Sequence, residues 1–324
     1  MKTILVTGCA GFIGSNFCEY LLNNNYKVIG IDNFNDYYSP KIKRYNIKDF
    51  IENPNFYLIE EDLLNYSKIE EVFKNVKIDT LVHLAAYAGV TFSFEKPLLY
   101  VKNNVEVTTN LLDLCTRYKV NNFIFSSTSS IYGDSPSPFR EDMATDFPLA
   151  PYPATKKACE VMASVYSKNF GLNVTIFRFF NPLDIRIRPD LALTKLIKSA
   201  LYNEEFPQYQ DLNSTGRDYC YLQNLLESME YVIQNPFKYE IFNLGNSAPV
   251  TLGKLVETVE KVVGNKVNLI RMPERRGEMT LTFADVSKAE KLLSYKSKTP
   301  LEFIVEKYYN WFLNQEEWYK KGNY

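Results

Sequence analysis

Ile4-Leu5-Val6-Thr7-Gly8-Cys9-Ala10-Gly11-Phe12-Ile13-Gly14 opens the chain's reading. Ile4 to Val6 is a short apolar run of the kind buried in a parallel sheet. Gly8, Gly11 and Gly14 follow, and Ser15 to Leu22 reads as a helix with Phe17, Leu21 and Leu22 on one side. A strand, a glycine turn and a helix in succession make a glycine pattern a dinucleotide-binding signal. Gly8 would allow the tight turn, Gly11 would let the backbone approach a pyrophosphate, and Gly14 would let the helix pack close to the strand. Cys9 and Ala10 are small enough to lie beneath that pyrophosphate. Phe12 and Ile13, at the helix start, bring N–H groups and the positive end of the helix dipole to it. The competing reading is a glycine-rich turn that holds nothing.

Outward from this stretch, Lys27 to Ile31 is a second strand that ends at Asp32. An acid at that tip accepts hydrogen bonds from ribose hydroxyls and repels a 2′-phosphate, which favours NAD over NADP. Lys43 and Arg44, further along, work against that preference. A third strand, Asn55 to Glu60, leads to Asp62 and Leu63. A fourth, Asp79 to Leu84, runs into Ala85-Ala86-Tyr87-Ala88-Gly89. Ligands of doubly wound sheets lie outside the C-terminal strand ends. Asn33, Asp62, Leu63, Leu84, Ala85 and Ala86 therefore join the cofactor-binding candidates. His83 lies inside an apolar run and reads as a packed core histidine.

Leu98 to Tyr118 reads as one long helix, with Asn104, Thr108, Leu111, Leu112 and Cys115 sharing a face. The fifth strand, Asn122 to Ser127, ends in the hydroxyl cluster Ser126-Ser127-Thr128-Ser129-Ser130, which suits sugar or carboxylate oxygens. After a Pro-rich loop, Tyr152 and Lys156 lie one helical turn apart at the head of a helix. Ala158, Val161, Met162 and Val165 are that helix's expected buried stripe. A free tyrosine titrates near ~10 and is a poor base, and a neighbouring ammonium would favour its phenolate. Asn173 to Phe180 is a sixth strand, and Tyr239 to Gly245 a late strand of the same sheet.

Bulk properties narrow the class. The chain has 324 residues, 46% of them hydrophobic, and a net charge of -1, so bulk electrostatics point to neither a nucleic acid nor an anionic membrane. One histidine and five cysteines without a Cys-x-x-Cys pair point away from a metal site and toward a reducing, cytoplasmic compartment. No run is long and apolar enough to suggest a membrane span, and the apolar run at the N-terminus is too short for a signal peptide.

Together the glycine pattern, Asp32, His83-Leu84-Ala85-Ala86, Ser126-Ser127-Thr128 before Tyr132-Gly133, and Tyr152 with Lys156 resemble the extended short-chain dehydrogenase/reductase family over nearly the whole chain. Within it the chain is most similar to UDP-glucuronate 4-epimerases. The stretches that carry this are Asp32-Asn33-Phe34-Asn35-Asp36-Tyr37-Tyr38, Ala88-Gly89-Val90, Ala154-Thr155-Lys156-Lys157-Ala158, Arg188-Pro189-Asp190, Gly216-Arg217-Asp218 and Phe242-Asn243-Leu244-Gly245-Asn246-Ser247.

The resemblance implies an α/β fold, a Rossmann-type doubly wound parallel sheet with a smaller α/β C-terminal substrate lobe. Residues 1–180, with a returning segment near 222–245, would form the NAD-binding domain, and 181–324 mainly the UDP-sugar lobe. It implies tightly held NAD, a UDP-sugar substrate and a homodimer formed through the two long helices. Thr128, Tyr152 and Lys156 would be catalytic, with Tyr152 and Lys156 also touching NAD. Ser129, Ser130, Asn181, Arg188, Arg217, Arg275, Arg276 and Glu278 would bind the substrate. Related sugar 4,6-dehydratases carry Asp-Glu directly after the catalytic Thr, where this chain has Ser129 and Ser130. The chain departs from the epimerase pattern at Pro182-Leu183-Asp184-Ile185 and Ile187, and has Asn181 where glucuronate epimerases usually carry Thr. UDP-glucose and UDP-N-acetylglucosamine stay open as substrates, as does a catalytically silent NAD-binding regulator.

Overall fold

In the computed structural model, residues 1–274, 277 and 279–322 are described. Seven strands form one sheet: β1 (Thr3–Thr7), β2 (Lys27–Asp32), β3 (Phe56–Glu60), β4 (Thr80–His83), β5 (Asn122–Thr128), β6 (Asn173–Phe179) and β7 (Tyr239–Leu244). Their order is β3-β2-β1-β4-β5-β6-β7, and every pairing is parallel. Along β1 the apolar run divides by strand alternation. Ile4 and Val6 pack into one buried cluster, and Leu5 into the cluster on the opposite face. The strand therefore needs apolar residues at successive positions, which is why no polar alternation shows in the sequence.

The helices that matter to the site are α1 (Phe12–Asn23), α2 (Val107–Arg117), α3 (Pro151–Phe170) and α4 (Leu222–Gln234). β1 has β2 on one side and β4 on the other, and the chain winds outward from it in both directions. That reversal leaves a crevice above the C-terminal ends of β1 and β4, where doubly wound folds take ligands.

Two expectations from the sequence need correcting. The helix read over 98–118 is interrupted: Pro97–Tyr100 is followed by a turn of π-type hydrogen bonding at Val101–Glu106 before α2 begins. Asn104, in that wide turn, bonds the Tyr87 N–H and carbonyl and the Thr155 hydroxyl, satisfying a polar group that is fully buried. On α3 the proposed apolar stripe faces the wrong way. Val161 and Val165 are exposed, and Ala158 and Met162 only half-buried. The buried face carries Tyr152, Lys156, Cys159, Glu160, Ala163 and Ser167. Its polar members find partners inside: Lys156 on the Ser126 carbonyl, Glu160 on Arg178, and Ser167 on the Lys238 carbonyl.

Beyond β6 the chain builds short strand pairs, Pro182–Leu183 with Cys220–Tyr221 and Glu205–Gln208 with Asn268–Arg271. The helix Leu252–Val263 is capped by Thr251, whose hydroxyl accepts from the Lys254 N–H. Arg186, nearly buried, joins this part to α1 through Glu19 at 2.8 Å. Among the described residues no helix is long and apolar enough to cross a membrane, and no cluster of metal-ligating side chains occurs.

Candidate active site

A cavity of about 800 Å³ opens at the C-terminal ends of the strands. Gly8 adopts φ +70, and a β-carbon there would lie 2.9 Å from the Ala85 backbone, so β1 and β4 meet at a point that excludes a side chain. A β-carbon on Gly14 would come within 2.0 Å of the Gly8 carbonyl oxygen. On Gly11 it would meet the Gly8 carbonyl oxygen at 3.3 Å and the Tyr38 hydroxyl at 3.9 Å, and Gly11 lines the cavity. No side chain caps α1, so the N–H groups of its first turn, at Phe12, Ile13 and Gly14, are left for a ligand. This bare cradle fits an anionic diphosphate.

Asp32 is nearly buried at the tip of β2 and lines the same cavity. Its carboxylate accepts from the Ala10 and Phe34 N–H groups at 3.1 and 2.9 Å. Two hydrogen bonds leave acceptor capacity for a pair of ribose hydroxyls. Burial raises its pKa, against those two N–H groups and Lys43. Arg44 pairs with the exposed Glu60 at 2.6 Å, whereas Lys43 lines the cavity. Asn33, Asp62, Leu63, Leu84, Ala85 and Ala86 line it too, and Asn33 donates to Asp62 at 3.1 Å.

His83 is a structural pillar. Its Nδ1 is 2.7 Å from the Thr7 hydroxyl and its Nε2 is 3.0 Å from the Thr108 hydroxyl. Thr108 donates its hydrogen to the Asn104 carbonyl, so Nε2 must donate to Thr108. Thr7 accepts from the Leu84 and Ala85 N–H groups and is free to donate to Nδ1. Burial, then the Lys156 charge, pulls the imidazole pKa down to about 3.

Thr128, Ser129 and Ser130 line the cavity where β5 ends, together with Tyr152 and Lys156 from the first turns of α3. Pro151 and Pro153 start α3, and the Thr155 hydroxyl donates to the Tyr152 carbonyl at 2.7 Å. Burial pushes the Tyr152 phenol up to about 12, opposed by a hydrogen bond with Thr128 and by the charge of Arg188. Lys156 is buried on the same helix as Tyr152. Its ammonium donates to the Ser126 carbonyl at 2.7 Å and lies 4.5 Å from the Phe125 ring centre, and burial lowers its pKa to about 8. The charge of Arg188, which favours the phenolate, comes from a distant segment of the chain.

Arg188 grips Asp190 through two parallel bonds of 2.9 and 2.7 Å and lies over the Tyr37 ring. It is largely shielded from solvent and lines the cavity. Asn181, at φ +35, donates to the Thr282 hydroxyl at 3.2 Å on the same wall. Arg217 lines the cavity and donates to the Thr280 carbonyl at 3.3 Å. Arg275, Arg276 and Glu278 lie outside the described residues. Sequence reasoning gave no site role to Tyr37, Tyr38 and Asp190, which line the cavity, or to Tyr100 behind Tyr152. The tyrosine pair in the turn five and six residues after Asp32 was the available signal; Tyr100, packed edge-on to Tyr152, had none.

An open parallel sheet with a glycine cradle and a Thr–Tyr–Lys set at its strand ends defines a nucleotide-binding α/β enzyme fold. The chain belongs to the family described as GDP-mannose 4,6 dehydratase, whose model matches residues 5–308. It is 38% identical to the uncharacterized protein MJ1055 of Methanocaldococcus jannaschii, over 98% of both chains. It is 34% identical to a UDP-glucuronate 4-epimerase of Thermodesulfobacterium geofontis, over 96% of both. Among solved structures, UDP-glucuronic acid 4-epimerase from Bacillus cereus, in complex with UDP-glucuronic acid and NAD, superposes with a TM-score of 0.90 at 35% identity, covering 95% of this chain and 98% of that one.

Proposed function

We propose that this protein is an NAD-dependent 4-epimerase of a UDP-sugar, converting UDP-glucuronate to UDP-galacturonate through a transient 4-keto sugar. The observation that carries the reading is the convergence in one cavity of Thr128, Tyr152 and Lys156 with Ser129, Ser130, Asn181 and Arg188. NAD, held by the glycine cradle and Asp32, supplies a reversible hydride acceptor for the hydrogen on C4. Tyr152 takes the 4-hydroxyl proton and returns it after the sugar has turned over. Thr128 orients the 4-oxygen. Ser129, Ser130 and Asn181 offer neutral hydrogen-bonding groups, and Arg188 a fixed positive charge, to the C6 carboxylate. Arg217 is placed for the diphosphate. The family's name includes dehydration, but serines at 129 and 130 lack the acid–base range to remove a C5 proton and protonate the 6-hydroxyl.

The same reading takes 1–180 with the returning α4 and β7 as the cofactor domain and most of 181–324 as the sugar lobe. It also takes the protein as a homodimer. Leu98, Val101, Val161, Val165 and Phe170 are exposed on the neighbouring segments 97–117 and 151–170, an apolar surface that a second copy would cover. Five free, buried cysteines suit the cytoplasm.

The test is incubation with UDP-glucuronate and no added cofactor, with the product sugar read by NMR and UDP-glucose and UDP-N-acetylglucosamine run in parallel. UDP-galacturonate should appear, and Arg188→Leu should lower kcat/KM for UDP-glucuronate by roughly 10- to 100-fold, the range for losing a hydrogen bond to a charged group. Turnover of the neutral sugars alone would reassign the substrate, and no epimer from any of the three would end the reading.

A further inference from the structure

The turn after Asp32 contains a group that the site described above leaves unused. The Tyr38 hydroxyl is buried and, among the described residues, has no hydrogen-bond partner. A buried hydroxyl without a partner is costly and needs an explanation. Tyr38 lines the cavity, and its hydroxyl lies 3.9 Å from the place a Gly11 β-carbon would occupy. It therefore looks onto the face of the cradle left bare by glycine, above the uncapped start of α1. Its own pKa is pushed upward by burial and then by Asp32, so the phenol is held as a donor.

The surroundings fix the ring. The Lys43 ammonium lies 4.8 Å from the Tyr38 ring centre, held there by the Asn35 carbonyl and side-chain oxygens, each at 2.7 Å. Two of its three hydrogens are so engaged, which leaves one for a ligand. Asn35 is itself placed by the turn, since the Asn33 side chain accepts from its N–H at 3.1 Å. An anion over Gly11 would give the orphaned hydroxyl an acceptor and put a positive charge within reach.

Resting on the NAD reading above, we infer that Tyr38 is a binding residue for the cofactor's diphosphate, donating its phenolic hydrogen to a phosphate oxygen over Gly11 while the buried Lys43 supplies the nearby charge. The aromatic pair Tyr37-Tyr38 then has divided duties. Tyr37 lies under Arg188 on the sugar side, and Tyr38 serves the cofactor side.

The experiment compares the wild type with Tyr38→Phe, which keeps the ring and removes only the hydroxyl. Bound NAD is quantified after denaturing the purified proteins. Cofactor-stripped proteins are then titrated with ADP-ribose by calorimetry and with adenosine by ligand-observed NMR. The variant should bind ADP-ribose roughly 10- to 100-fold more weakly, carry less NAD after purification, and bind adenosine as the wild type does. Equal affinity for ADP-ribose in both proteins would overturn the inference. So would a matching loss for adenosine, which would mean that the whole 33–43 turn had been disturbed. A wild type that binds neither probe and carries no NAD would instead defeat the cofactor reading itself.

Discussion

Replacing His83 by glutamine tests whether the histidine under the site is structural. The proton order at this residue leaves no room for a second ring proton. Nδ1 receives the Thr7 hydrogen and Nε2 gives its own to Thr108. Protonation would set an N–H against the Thr7 hydroxyl, whose lone pairs already accept from Leu84 and Ala85. With a folded pKa of about 3 against the ordinary 6.5, the histidine contributes stability that is complete above pH 6.5 and is lost as pH falls toward 3. By pH 4 the loss amounts to about 3 kcal/mol, a large share of a domain's usual margin. His83→Gln has no such titration, though it loses about 1–3 kcal/mol at pH 7 from imperfect bonding of Thr7 or Thr108. Urea unfolding of both proteins at pH 7 and pH 4 isolates the effect, because the carboxylates titrate alike in each. The gap between wild type and variant should close, or reverse, by about 3 kcal/mol. A gap independent of pH would refute the tautomer and burial argument, and a wild-type kcat profile with an inflection near the ordinary histidine value would refute the structural role.

Gly14→Ala drives a β-carbon to within 2.0 Å of the Gly8 carbonyl oxygen; it should cost ~3 kcal/mol or more and lower the retained NAD. Gly171→Ala, with nothing within 4 Å but φ +75, should be far milder, and equal thermal shifts for the two would contradict the crowding argument. Glu160 and Arg178 form a buried pair at 2.8 Å; Glu160→Gln or Arg178→Met alone should cost about 3–5 kcal/mol by stranding a charge, while Glu160→Leu with Arg178→Met should cost less than either. Additive losses in denaturant melts would count against that. Tyr152→Phe should lower kcat by about 10²- to 10⁴-fold with NAD still bound, and an active variant would remove Tyr152 from its role as the base.

Local chemistry made much of the cofactor half legible. The glycine turn and the acidic strand tip work through contacts a few residues long, and strand β1 and helix α1 follow directly from them. The helix carrying Tyr152 was equally visible, but its orientation was not. Hydrophobicity counting turned Val161 and Val165 inward, whereas Lys156, Glu160 and Ser167 are the residues that find buried partners. Those partners sit on β5, on β6 and just before β7, remote along the chain, so no local pattern announces them.

The same distinction runs through the site. Residues 4–14 and Asp32 were enough to point to a parallel sheet with a glycine cradle suited to a diphosphate, because strand, turn and helix propensities and the absence of a β-carbon are properties of neighbouring residues. The charges that act on Tyr152 were a matter for the tertiary structure. Spacing pointed to Lys156, one turn away, whose ammonium donates to the Ser126 carbonyl, and the chain's return through 182–190 adds the charge of Arg188, which favours the phenolate. Charge interactions depend on distance through space, and burial sets their strength; neither quantity is written in the order of residues.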